Sequence, residues 1–110
     1  MREEKQLYLT PAVEETCALM KQLKNVERVA FQRGIAVETV YDYLSTGIGL
    51  GVIDVDGVVG KELQEKIKSA AANGTFRLKS IKEKLPETIS YGEIKCVVAD
   101  LKRKRLLKSL

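Results

Sequence analysis

A chain of 110 residues and 12.3 kDa, 45% hydrophobic and 31% charged, has the balance of one small globular domain and not of a disordered segment. Histidine and tryptophan are absent, which excludes His-based triads, His general bases and His-containing metal sites, and two cysteines are too few for a disulfide framework or a four-cysteine zinc site. The net charge of +4 is unevenly spread: residues 1–56 carry 6 basic and 9 acidic side chains, residues 57–110 carry 13 and 6, so attraction to a polyanion belongs to the C-terminal half.

Residues 1–9 read as a lead-in; MREEKQLYLT lacks the pattern of a signal peptide, and no apolar run reaches the ~18 residues of a membrane helix. Thr10-Pro11 is a helix opening, with Glu14 and Glu15 at the positive end of the dipole. Val13, Cys17, Met20 and Leu23 form a helical stripe that predicts a helix over 11–23. Lys24-Asn25 breaks the run. A short second helix follows, with Val26, Val29, Ala30 and Phe31 inward, and ends near Gly34. The turn Gly34-Ile35-Ala36 leads into a third helix carrying Val37, Val40, Tyr41 and Leu44. STGIGLGVIDVDG (45–57) reads as the end of that helix, a glycine turn, a short strand around Val52–Val55 and a turn at Asp56-Gly57. A fourth helix is expected at about 59–73, with Val59, Leu63, Ile67, Ala70 and Ala71 on one face and Asn73-Gly74 as its stop. Leu78, Ile81 and Leu85 mark a fifth, ended by Pro86. Ser90 and Glu93 have capping-box spacing and open a sixth, whose stripe is Ile94, Val97, Val98 and Leu101. The expected fold is mainly α: a helix-turn-helix, winged-helix-like half with one short strand, packed on a second three-helix half.

Residues 26–44 carry that reading. Crossing two helices closely needs a small residue in the first, here Ala30, and a residue tolerant of positive φ in the turn, here Gly34. Val29 and Ile35 flank the turn, and Val40 and Leu44 anchor the second helix. An ordinary helical hairpin with the same apolar stripe is the alternative.

The stretch VERVAFQRGIAVETVYDYLSTGIGLG resembles the helix-turn-helix domain near the C-terminus of RecQ-family DNA helicases, including the Werner-type enzymes. LKSIKEKLPETISYGEIKCVVADLKR is similar to the second half of that domain, so the resemblance covers about 10–103 and leaves 104–110 as a basic tail. It implies an accessory module of a helicase acting in DNA repair or recombination, with DNA as partner and a repair or replication protein as a second one. It implies no cofactor in this chain, ATP and Mg belonging to the parent motor. Nothing here matches a Gly-Lys-Ser/Thr phosphate loop, so this chain alone is not expected to be an enzyme. The implied location is the cytoplasm, at the bacterial nucleoid, or the nucleus in a eukaryote.

A helix-turn-helix ordinarily reads bases with its second helix. The outward positions here are Ala36, Glu38, Thr39, Asp42 and Tyr43, two acidic and none basic, with only Arg28 and Arg33 nearby in sequence. Sequence-specific readout is therefore not expected. The expected contacts are Arg77, Lys79, Lys82, Lys84, Lys95, Lys102, Arg103, Lys104 and Arg105, whose density suits phosphate neutralisation without sequence preference. A protein-interaction module of the helicase, using the acidic third helix, and a free-standing regulator are the competing readings.

Three lures fail on context. Gly47-x-Gly49-x-Gly51 follows a helix where a dinucleotide loop follows a strand. Asp54-x-Asp56-Gly57 lacks the other ligands of a calcium loop. Cys17 and Cys96 lie on apolar stripes as small buried hydrophobes, and Tyr41 and Tyr91 are expected half-buried.

Overall fold

Thr10 accepts the Val13 N–H at 3.2 Å and Pro11 takes the first helical position, so helix α1 (Pro11–Leu23) starts and stops where the sequence predicts. The computed structural model describes residues 7–71 and 76–108. Within them follow α2 (Val26–Arg33), α3 (Val37–Leu50), α4 (Lys61–Ala70), α5 (Leu78–Glu83) and α6 (Tyr91–Lys108), with a single 3-10 turn at Val55–Gly57. Helices α1, α2 and α3 pack on one another; α6 packs along α3 and also touches α4, α5 and the 3-10 turn. The two expected halves are therefore real, and the α3–α6 contact joins them.

The break between α1 and α2 is a single left-handed residue, Lys24 at φ 57°, followed by Asn25, whose side chain accepts the Arg28 N–H at 2.9 Å and starts the next helix. The Ser90–Glu93 capping box forms as expected: Glu93 accepts from the Ser90 N–H at 2.9 Å, and Ser90 Oγ accepts from the Glu93 N–H at 3.2 Å.

Other expectations need correction. No strand occurs among the described residues: with no neighbouring strand to pair with, Val52-Ile53-Asp54-Val55 turns instead into the 3-10 turn, where Asp54 Oδ1 accepts the Asp56 N–H. Gly47 and Gly49 do not turn the chain out of α3: the helix runs through both to a left-handed Gly51 at φ 79°. Phe31 does not face inward; it is 90% exposed. Tyr91 is likewise exposed, while Tyr41 is half-buried. Helix α4 is shorter than expected, with Val59 buried ahead of it; the proposed stop at Asn73-Gly74 lies outside the described residues.

The continuation of α3 has a packing reason. A Cβ on Gly47 would lie 2.3 Å from Cys17 Sγ, so glycine is what lets α3 approach α1. Gly92 does the same for α6, where a Cβ would meet the Tyr41 ring at 2.3 Å. Buried polar groups are tied: Thr16 Oγ1 donates to Ala12 O at 2.7 Å, and Gln64 Nε2 donates to Val59 O and Asp56 Oδ1, both at 2.8 Å, pinning the 3-10 turn onto α4.

Gly47→Ala should destabilise the fold by about 1–3 kcal/mol through overpacking. Combining it with Cys17→Ala, which removes the clashing sulfur, should recover part of that loss. Urea denaturation of the two single variants and the double variant measures the coupling.

Candidate nucleic-acid interface

The turn between α2 and α3 has the geometry that the sequence requires. Gly34 sits at φ 67°, its N–H directed at the Ala30 and Phe31 carbonyls, and the Ile35 N–H donates to Ala30 O at 3.0 Å. A Cβ on Gly34 would meet nothing within 4 Å, so the glycine serves backbone conformation and not space. Val29, Ala30, Val40 and Leu44 are buried and Ile35 is half-buried, as a locked helix-turn-helix demands.

The outward face of α3 is poorly equipped for phosphate or base contact. Ala36, Glu38 and Asp42 are exposed; Thr39 and Tyr43 are half-buried. Asp42 forms an ion pair with Lys95 of α6, and its carbonyl accepts from Ser45 Oγ at 2.9 Å and Thr46 Oγ1 at 3.2 Å. Arg33 is committed to α1: its Nη1 lies 3.0 Å from Glu15 and donates to Thr16 Oγ1 and Ala12 O. Arg28 is exposed.

The nine cations expected to meet DNA divide by what they touch. Lys82 donates to Ile89 O at 2.6 Å and Glu87 O at 3.3 Å, and its ammonium lies 5.6 Å from the Tyr91 ring, so it staples the turn between α5 and α6. Lys95 binds Asp42. The Arg103 guanidinium lies against Gly51, at the negative end of the α3 dipole. Lys104 lies 3.0 Å from Asp100, a carboxylate only 6% exposed. These four hold the fold.

A second group gathers around Phe76, a half-buried aromatic that sequence reasoning missed. Lys102 lies 6.0 Å and Arg105 5.7 Å from its ring centroid. Phe76 meets the C-terminal turns of α6 while Lys82 meets its N-terminal Tyr91, so α5 runs antiparallel to α6. That direction turns the start of α5, where Arg77 and Lys79 are exposed, towards the C-terminal turns of α6. The legible signal was Phe76-Arg77-Leu78-Lys79, an aromatic interleaved with basic residues. Lys84 is exposed at the other end of α5, with Nζ 3.4 Å from Ala70 O. No group of three or more His, Cys, Asp or Glu able to hold a metal occurs among the described residues, and no helix there is long and apolar enough to cross a membrane.

The model of a family described as a helix-turn-helix domain matches residues 12–98. The chain belongs to that helix-turn-helix domain family. No curated protein and no solved structure matches it. The match places the helix-turn-helix geometry of α2 and α3 in a fold class whose usual ligand is DNA. It ends before Lys102, so the basic turns of α6 lie beyond the matched residues.

The α3–α6 contact also buries two acids. Burial, with Glu93 beside it, pushes the Tyr41 phenol up from 10.0 to about 12. Burial pushes the Cys96 thiol up from 9.0 to about 12, while Cys96 Sγ lies 3.8 Å from the Tyr41 carbonyl it donates to. Both groups hold their protons more tightly folded than unfolded. Their contribution is thus complete below pH 9, where neither is ionised in the unfolded chain, and is lost as pH rises towards 12. Urea midpoints should fall progressively above pH 9, and Cys96→Ala should reduce the earliest part of that fall, to which Cys17, also raised from 9.0 by burial, contributes. Ultraviolet titration should show the Tyr41 phenol ionising only as pH approaches 12.

Proposed function

We propose that this helix-turn-helix domain is an accessory module of a RecQ-like DNA helicase, holding DNA by its phosphates without reading sequence during repair or recombination. The observation that carries the binding mode is the placement of Lys102 and Arg105 over Phe76, with Arg77 and Lys79 exposed next to it in sequence, while the outward face of α3 offers Glu38 and Asp42. Phosphate contact needs only cation density, whereas base readout needs donors matched to base edges, which α3 lacks. The helicase assignment is supported by the order and separation of the two resembling stretches across about 10–103. A free-standing regulator would place α3 in the major groove, and its carboxylates would then face phosphates.

Fluorescence anisotropy with duplex and forked DNA tests the binding mode. Binding at low salt should weaken about tenfold or more in Lys79→Glu/Lys102→Glu/Arg105→Glu, and the salt slope should drop by about one for every phosphate no longer neutralised. Glu38→Ala should leave affinity unchanged or slightly raised. Absence of binding at low salt, or an unaltered affinity in the triple variant with its thermal midpoint retained, overturns the reading. A helicase motor encoded in the same reading frame supports the parent enzyme; a frame encoding only this domain removes it.

A further inference from the structure

Asp100 is the only acidic side chain buried among the described residues, and it stands where α6 passes from its buried turns to the basic residues 102–108. Its Oδ2 accepts no hydrogen bond, and its partner is the Lys104 ammonium, 3.0 Å away and one turn further along the helix. The pair is unequal: the Asp100 side chain is enclosed, whereas that of Lys104 is 57% exposed. The Lys104 charge also reaches Asp56 in the 3-10 turn. The Gln64 hydrogen bond first, and Lys61 and Lys104 after it, hold that carboxyl below its ordinary value. Lys104 is thus drawn by two carboxylates, one enclosed and one at the surface.

We propose that Asp100 restrains the DNA affinity of this domain by withholding Lys104 from phosphate. The inference rests on the phosphate-holding reading and deepens it, naming a cation of the basic turns that is kept out of the contact and the residue that keeps it out. Lys104 precedes Arg105 by one residue and Lys108 by four, so by position alone it belongs among the cations a phosphate strand would meet.

Two attractions compete for it. A phosphate contact forms in water and is screened by salt. The contact with Asp100 is half enclosed, and breaking it leaves a carboxylate in the interior without a counter-charge, the costlier of the two states. Asp100 therefore keeps its partner, and the domain engages one phosphate fewer than its basic residues would allow. Lys102 differs: it lies 6.0 Å from the centroid of the Phe76 ring, a contact that leaves its charge uncancelled. Asp100 is on this account a positioning residue, acting on DNA only through Lys104.

Duplex DNA titrated by fluorescence anisotropy over a salt series is the test, on the intact chain. Asp100→Asn, of nearly the same shape, should keep the thermal midpoint, bind about threefold or more tighter at low salt, and steepen the salt slope by about 0.9, one further phosphate. Glu38→Gln changes the net charge equally but frees no cation, and should leave the slope as it was. Lys104→Gln should lower the thermal midpoint by stranding Asp100. Asp100→Asn/Lys104→Gln should recover that midpoint and return the slope to that of the unaltered chain. A further measurement needs no variant: on addition of duplex DNA, the side-chain NMR resonances of Lys102 should move more than those of Lys104. An unaltered or shallower slope in Asp100→Asn, a gain that survives in the double variant, a Lys104→Gln midpoint equal to that of the unaltered chain, or Lys104 resonances that move as far as those of Lys102 overturns the proposal. Absence of DNA binding in every variant removes the phosphate-holding reading and this inference together; DNA binding with any of the other results removes this inference alone.

Discussion

The structure depends on the side-by-side contact of α3 with α6. Tyr41 lies over Gly92, Asp42 pairs with Lys95, Cys96 donates to the Tyr41 carbonyl, and Arg103 rests on Gly51. These pairings advance together along both helices, so the two run in the same direction over about nine residues of α3, or roughly 13 Å. Parallel neighbours align their dipoles unfavourably. The contact answers this with an ion pair along its length and with a guanidinium against the carbonyl end of α3. Because α3 is also the second helix of the helix-turn-helix, the motif is held from outside by α6. The two halves are thus one cooperative unit: removing α6 would uncover Tyr41 and leave Asp42 without Lys95.

That contact accounts for Asp42 on the helix that in other helix-turn-helix domains reads bases. Asp42 is needed to dock Lys95, and the Asp42 carbonyl is occupied by Ser45 and Thr46. A side chain held in this way supports the contact between helices, not a passing base edge. Positive charge is divided in the same manner. Lys82, Lys95, Arg103 and Lys104 serve capping, pairing and dipole roles, while Lys102 and Arg105 lie over Phe76 at the C-terminal end of α6.

What the sequence disclosed, and what it did not, follows from the range of the forces involved. Helix starts at Thr10 and Ser90 and the turn at Gly34 were legible because caps, proline and positive-φ glycine act within four residues. The buried stripes were legible for the same local reason. Gly47 and Gly49 misled, since a glycine inside a helix looks like a break unless the neighbouring helix is known; only Cys17 in α1 explains Gly47. Residues 52–55 look like a strand by composition, but a strand needs a pairing edge, and that is tertiary information. For the candidate site, the basic composition of the second half was visible, but its sorting was not. Nothing local in Lys95 or Arg103 says that each faces α3, and nothing local in Phe76 says that Lys102 and Arg105 lie over it.

The end of α6 shows how a run of like charges is held in a helix. The helix leaves its buried neighbours at Asp100, and there the sequence turns from apolar to basic, with five cations in residues 102–108. Like charges three and four residues apart repel and should unwind the last turns. Three things oppose this: Asp100 beneath Lys104, the Phe76 ring beneath Lys102 and Arg105, and the negative end of the helix dipole, which favours cations. Winding the segment into a helix fixes the spacing of its charges; residues 102–108 span about 9 Å of axis, against roughly 3.4 Å of duplex axis per phosphate on one DNA strand. A flexible tail of the same composition would lose entropy on binding, whereas this arrangement presents its cations already placed. In the proposed binding mode, phosphates drawn to them would relieve the remaining repulsion, so bound DNA and the last turns of α6 should stabilise each other.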